Sequence, residues 1–338
     1  MRIRTSPVTS PVTGARAMIP LAAATALLAT GCGDSGDTAR DERNGKDTDP
    51  VVATSFANAP KAYPLDAYRP TAAETSTVDH AVRVLAGPCL KKFGVDWPAY
   101  EAPGAAIPPN ARKYGPTDLE SVRVYGYKPP LPDGVTRQEA VAAQRRAQAR
   151  DKAVTPLAAA VYTGRAQEAE KKGGTTTEVP AGVPEGGCHA QARRAALADR
   201  AADDLTEVQT LFFEASATTK KDPGTVALDK RWSSCMRKAG LTYPDPLAAA
   251  DDETWRTQRT SPNGPHPSFP APSAKEIATA EADVRCKAAT GYVAKRHAIE
   301  SGHQKQLIRK NAATLTAVND RKLRMIERAE TVVAKEEK

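Results

Sequence analysis

Ser35 sits in Gly33-Asp34-Ser35-Gly36, a serine between glycines with an acid beside it, the setting of an acyl-transfer nucleophile. To act as one, Ser35 needs a histidine base, a buried acid and an oxyanion hole on a rigid scaffold. The chain from Asp34 to Pro50 is polar and charged with almost nothing to bury, a composition that stays disordered. A nucleophile on a loose tether is not held in attack geometry. A second set, Asp203, Asp204, Asp245, Asp251, Asp252 and Glu253, offers carboxylates that would pair across helices as general acid and base, the chemistry of a secreted hydrolase. Acids in loops and on helix faces are more often simply solvated. Metal binding needs close ligand pairs such as CxxC or HxxxH. Cys188 and His189 are adjacent and diverge on a helix, while His297 and His303 stand about 240° apart around one. No catalytic, cofactor or metal site is expected, and the paired-carboxylate hydrolase is the alternative reading.

The five cysteines, Cys32, Cys89, Cys188, Cys235 and Cys286, point to different chemistry. Arg2, Arg4 and Arg16 precede a run from Ala17 to Thr30 that is apolar or small apart from Pro20 and two threonines. That is the charged, then apolar, then small-residue order of a secretory signal. The run is shorter than the roughly 20 residues that span a bilayer as a helix, so it reads as an export signal and not a permanent anchor. Ala29-Thr30-Gly31-Cys32 resembles a lipobox, the site at which bacterial lipoproteins receive a diacylglyceryl group on the cysteine. It departs from the pattern in having Ala29 where Leu is usual, with Leu28 one place earlier. With Cys32 acylated, an even set remains, and four cysteines in an exported chain read as two disulfides. Each would close a loop worth about 4–5 kcal/mol in the chain-entropy model. The formal charge is +8, and without the leader's arginines it is near +5. That mild excess suits anionic phospholipid or wall polymer and is far from a nucleic-acid signature.

An internal repeat orders the cysteines. CLKKFGVDWP from Cys89 aligns with CMRKAGLTYP from Cys235, and each is followed by a second cysteine, Cys188 or Cys286. The simplest pairing is within a unit, Cys89 with Cys188 and Cys235 with Cys286; two other connectivities remain open. Val78, Val82, Leu85, Cys89 and Phe93 recur at helical spacing, as do Leu228, Trp232, Cys235 and Ala239. Gly87-Pro88 is expected to kink or break the first helix. Gly94 and Gly240 fall where a left-handed residue ends a helix, with the apolar contacts of such a stop supplied by Leu90 with Val95 and Met236 with Leu241. Lys91, Lys92, Arg237 and Lys238 then complement the helix dipole.

Around these stops, Pro98 to Gly134 is a Pro/Gly-rich insertion whose Tyr114, Tyr125 and Tyr127 cover a helical core or form a shallow surface. Thr136-Arg137-Gln138-Glu139 has the capping-box pattern and opens a helix to about Val154. Another helix is expected from His189 to Thr219. Ser273 opens a third pattern with no proline after it, predicting one long helix to about Ala334 with Gly291 and Gly302 as weak points. Its stripe of Ile308, Leu315, Val318, Met325 and Val332 would pack on preceding helices, pair with another chain or lie on a membrane. Aromatics are 5% of the chain, so cores of Ala, Val and Leu favour helical hairpins over a thick globule.

The expected architecture is mainly α: two disulfide-braced helical units with a long C-terminal helix behind a disordered tether. The divisions are 1–31 signal peptide, 32–70 tether, 71–220 first unit with the insertion, and 221–338 second unit. The lipobox, the two CMRKxG-like helix ends, the YGY of the insertion and the GGC and VRC at the second cysteines together resemble a family of actinobacterial, streptomycete-type secreted lipoproteins with paired-cysteine helical repeats. The resemblance implies a helical protein on the outer face of the cell membrane, held by the diacylglyceryl anchor on Cys32, and brings no activity with it. The expected role is non-enzymatic contact with cell-wall polymer or a membrane-proximal protein.

Overall fold

The computed structural model describes residues 55–102, 107–132, 135–168, 174–197, 201–257 and 272–336, without the side chains of 137, 201–205, 256 and 257. The leader, Cys32, Ser35 and most of the expected tether lie outside the described residues. Among those residues the structure is helical, with isolated bridges in place of strands.

The end of the expected tether is part of the body. Tyr63 and Leu65 are buried and lead into a short 3₁₀ turn, Pro64–Tyr68. Tyr63 and Leu65, with the buried Pro60, bury enough apolar surface to pin this segment to the body. Thr71 and Glu74 then form a reciprocal capping box at the start of α1, Ala72–Lys92. The helix runs through Pro88 and does not break there. Pro88 is exposed, while Cys89 and Leu90 behind it are buried, so packing holds the next turn although one backbone bond is lost.

The helix stops form as the sequence implies. Gly94 adopts φ +62° and Val95 N–H donates to the Leu90 carbonyl at 3.3 Å; Gly240 adopts φ +75° and Leu241 N–H donates to that of Met236 at 3.0 Å. The insertion carries α2, Leu119–Tyr125, and is followed by α3, Arg137–Ala153, and α4, Pro156–Thr163. The helix expected from His189 to Thr219 is described as α5, Gly187–Leu197, and α6, Ala201–Lys221. Next come α7, Pro223–Lys238, capped by Asp222, and the short α8, Pro246–Ala250, and α9, Glu253–Thr257.

The long C-terminal helix is three: α10, Ala274–Thr290, α11, Tyr292–Lys310, and α12, Ala312–Glu336. Gly291 breaks it by taking φ +61°, and Asn311 breaks it where its amide donates back to the Leu307 carbonyl at 2.8 Å. Gly302 stays helical. The second break turns α12 back along α1 and α5. The apolar stripe therefore packs within the chain: Met325, Ile326 and Ala329 meet Val78, Ala81 and Leu197.

The disulfides join Cys89 of α1 to Cys188 of α5 and Cys235 of α7 to Cys286 of α10. A lean core of Ala, Val and Leu surrounds the first. The second borders a richer core holding Trp232, Trp255, Met236, Tyr114 and Tyr127, so two of the insertion's three tyrosines cover a helical core. That core also takes Leu65 and Val208 from before the expected boundary at 220/221 and Leu315 from after it. The two repeat units thus share their packing.

Candidate functional site

Asp283 and Lys287 on α10, and Tyr292, Arg296, Glu300 and Gln304 on α11, recur every four residues. That spacing sets each ladder on one helix face, and both faces turn inward.

On α10, Asp283 Oδ2 accepts from Lys287 Nζ at 2.7 Å and Asp283 Oδ1 accepts from Trp232 Nε1 at 3.0 Å. Lys287 Nζ also donates to the Pro116 carbonyl at 2.9 Å. Burial raises the Asp283 carboxyl to about 6, against the opposing pull of the Lys287 charge and the hydrogen bonds it receives. Burial likewise lowers Lys287, with Asp283 opposing. Gly115, at φ +79°, lies so close that a Cβ there would come within 2.9 Å of Lys287 Nζ. The left-handed φ that glycine adopts freely lets the 115–117 turn approach this ammonium. Nearby, Glu276 Oε1 accepts from the Tyr127 backbone N–H at 3.0 Å.

On α11, Glu300 accepts from Tyr114 Oη at 3.0 Å, from Gln304 Nε2 at 3.3 Å and from Lys113 Nζ. Tyr63 and Tyr114 share a hydrogen bond of 2.6 Å, and Gln304 Oε1 accepts from Leu65 N–H at 3.0 Å. Tyr292 Oη donates to Asp229 at 2.6 Å. Burial lifts the phenols of Tyr63, Tyr114, Tyr127 and Tyr292 above their ordinary range, so each stays a neutral donor. Arg296 is buried over the Tyr114 ring with its Nε and Nη1 unpartnered.

A cleft of about 550 Å³ opens beside this seam, between residues 57–61, Thr117 and the α10–α11 junction; Lys61, Lys287 and His297 are its basic residues. A lysine of lowered pKa beside a cleft is the usual start of amine nucleophile chemistry. Here the Lys287 side chain is only 2% exposed and its ammonium is spent on a carboxylate and a carbonyl. It acts as a brace between α10 and the insertion.

The acids singled out in the sequence are dispersed. Asp245 caps α8 by accepting from Leu247 and Ala248 N–H, both at 2.9 Å. Asp252 accepts from Tyr243 Oη at 2.7 Å and Thr254 N–H at 2.8 Å, and the Tyr243 bond is the main cause of its lowered pKa. Asp251 and Glu253 are exposed and also have partners, and the side chains of Asp203 and Asp204 lie outside the described residues. His297 bonds the Ala62 carbonyl at 3.2 Å and His303 bonds Asp222 at 3.0 Å. Among the described residues no group of three or more His, Cys, Asp or Glu is placed to hold a metal ion, and no helix is long and apolar enough to cross a membrane. The seam itself escaped the sequence reading; its signal was the four-residue spacing of polar side chains at 283/287 and 292/296/300/304. The chain matches no family model, no curated protein and no solved structure at a significant level.

Proposed function

We propose that this chain is a membrane-anchored lipoprotein on the outer face of the cell membrane, without enzymatic activity, presenting a disulfide-braced helical body for contact with wall polymer or a membrane-proximal protein. The cysteine account carries the reading. Of five cysteines, four are consumed in two disulfides, bonds that persist in oxidising compartments. The remaining one, Cys32, stands in the lipobox-like Ala29-Thr30-Gly31-Cys32. Two further observations support a contact role. The buried Asp283, Lys287 and Glu300 are tied to one another or to the insertion, and of the acids that would serve a hydrolase, Asp245 caps a helix and Asp252 bonds a tyrosine. Only 22 residues lie between Cys32 and the first described residue, Ser55, which keeps partners near the membrane.

The reading is tested by metabolic palmitate labelling with membrane fractionation. Label and membrane retention are expected in the wild type, and both are expected to vanish in Cys32→Ala. Recovery of full-length chain from the soluble cytosolic pool, leader intact and every thiol free, would overturn it.

A further inference from the structure

Helix α3 contributes nothing to the cores. It has no substantial interface with another helix, and none of its described side chains is buried. Every other described helix of eight or more residues supplies buried residues. Its stability is local: Thr136 and Glu139 cap it reciprocally, and it is built from strong helix formers. A helix with no fully buried side chain is retained for what it shows to its surroundings.

What it shows is positive charge. Arg145, Arg146, Arg150 and Lys152 stand against Glu139 and Asp151. Glu139 is occupied in the cap, and Arg150 pairs with Glu101. Arg145, Arg146 and Lys152 are exposed and make no ion pair with any described residue. Gln138, Arg145 and Lys152 follow one another at seven-residue spacing on one face, with Arg146 beside them. Val141, half-buried, is the one large aliphatic side chain on that face, so the face has little to insert into a hydrocarbon layer or a protein pocket.

We infer that α3 is an electrostatic docking helix for the headgroups of anionic phospholipid. The charges are complementary, and the face reads a charged surface without needing shape. Its 17 residues make a rod of about 25 Å that lies flat on such a plane. The chain outside the described residues adds the location. Only 22 residues lie between Cys32 and Ser55, so on the lipoprotein reading proposed above the body is held within reach of the bilayer. Basic side chains at an anionic leaflet each strengthen binding several-fold.

The test uses the chain from Gly33 onward, which keeps the whole described body and both disulfides but has neither leader nor acylatable cysteine. It is sedimented with vesicles of phosphatidylcholine, alone or mixed with phosphatidylglycerol. Binding to the mixed vesicles only, weakened by salt, is expected. Arg145→Gln, Arg146→Gln and Lys152→Gln together should weaken it at least about tenfold. Lys91→Gln, Lys92→Gln and Lys238→Gln, an equal loss of exposed charge elsewhere, should change it less than about threefold. Equal weakening by both triples, wild-type binding by the α3 triple, no binding to anionic vesicles, or retention by polyphosphate but not by vesicles would each overturn the inference. Because the tested chain carries no lipid, vesicle binding is read separately from palmitate labelling, and either result can fail without the other.

Discussion

Asp283 and Lys287, one turn apart on α10, form an ion pair of 2.7 Å with both side chains out of solvent, at 0% and 2% exposure. A buried pair of this kind is weak evidence for net stability, because desolvation offsets much of the attraction. Breaking it on one side is another matter. Lys287→Met strands a carboxylate and releases the Pro116 carbonyl, and it should cost about 3–5 kcal/mol. Adding Asp283→Asn removes the stranded charge while keeping an acceptor for Trp232, and much of that loss should return. Urea denaturation of the single and double variants measures both; equal destabilisation in the two would show that the charge pairing is not what matters.

The same carboxyl sets a pH dependence. Burial holds Asp283 at about 6 in the fold, above its ordinary 3.8. The folded state therefore keeps this proton to higher pH than the unfolded state does. The associated stability is complete below the unfolded value and is lost as pH rises through about 6. The stability difference between wild type and Asp283→Asn should thus be more positive near pH 4.5 than near pH 7.5. Trp232, which donates to Asp283 Oδ1, reports the event. A change in tryptophan fluorescence with a midpoint near 6 is expected in the wild type, and a flat trace in Asp283→Asn.

Local signals were legible in the sequence where one turn of chain decides the outcome. Gly94 and Gly240 end their helices through the very contacts their neighbours imply, and of the three connectivities the sequence leaves open the simplest, within-unit pairing, is the one that forms. Asn311 was missed because its break depends on a side-chain bond to Leu307 that many asparagines inside helices do not make. The seam was hidden for a different reason. Polar residues at four-residue spacing usually mark a solvated face, and only the packing of α7, the insertion and the 63–65 segment turns 283, 287, 300 and 304 inward. Tyr63 and Leu65 read as tether because they follow the polar 34–50 stretch without a helical pattern of their own, although with Pro60 they anchor the segment by burial.

The two disulfides should differ in worth. They close 99 and 51 residues, which gives about 4.7 and 4.1 kcal/mol in the chain-entropy model. Surroundings widen the gap: the first is set in a core of small aliphatic residues, and the second lies beside Trp232 and Met236. The paired change Cys89→Ser with Cys188→Ser should therefore destabilise more than Cys235→Ser with Cys286→Ser. Thermal unfolding of the two double variants ranks them, and the reverse order would show that loop length and local core density do not govern the bridges.

Gly164 and Gly187 let the end of α4 meet the start of α5, one residue before Cys188. Gly187 has φ +77°, and a Cβ there would overlap the backbone of Tyr162 and Gly164. Gly182 is also left-handed, at φ +84°, but a Cβ there would meet nothing within 4 Å. The pair separates conformational strain from contact. Gly182→Ala should cost only the about 1–2 kcal/mol of a left-handed alanine. Gly187→Ala should cost clearly more, because the atoms it meets are backbone and cannot rotate away, and α5 must shift. That shift moves Cys188 relative to Cys89, so thiol titration after oxidative refolding should find free cysteine in Gly187→Ala and none in Gly182→Ala. Equal stability and full oxidation in both would mean that the close approach of α4 and α5 does not position the first disulfide.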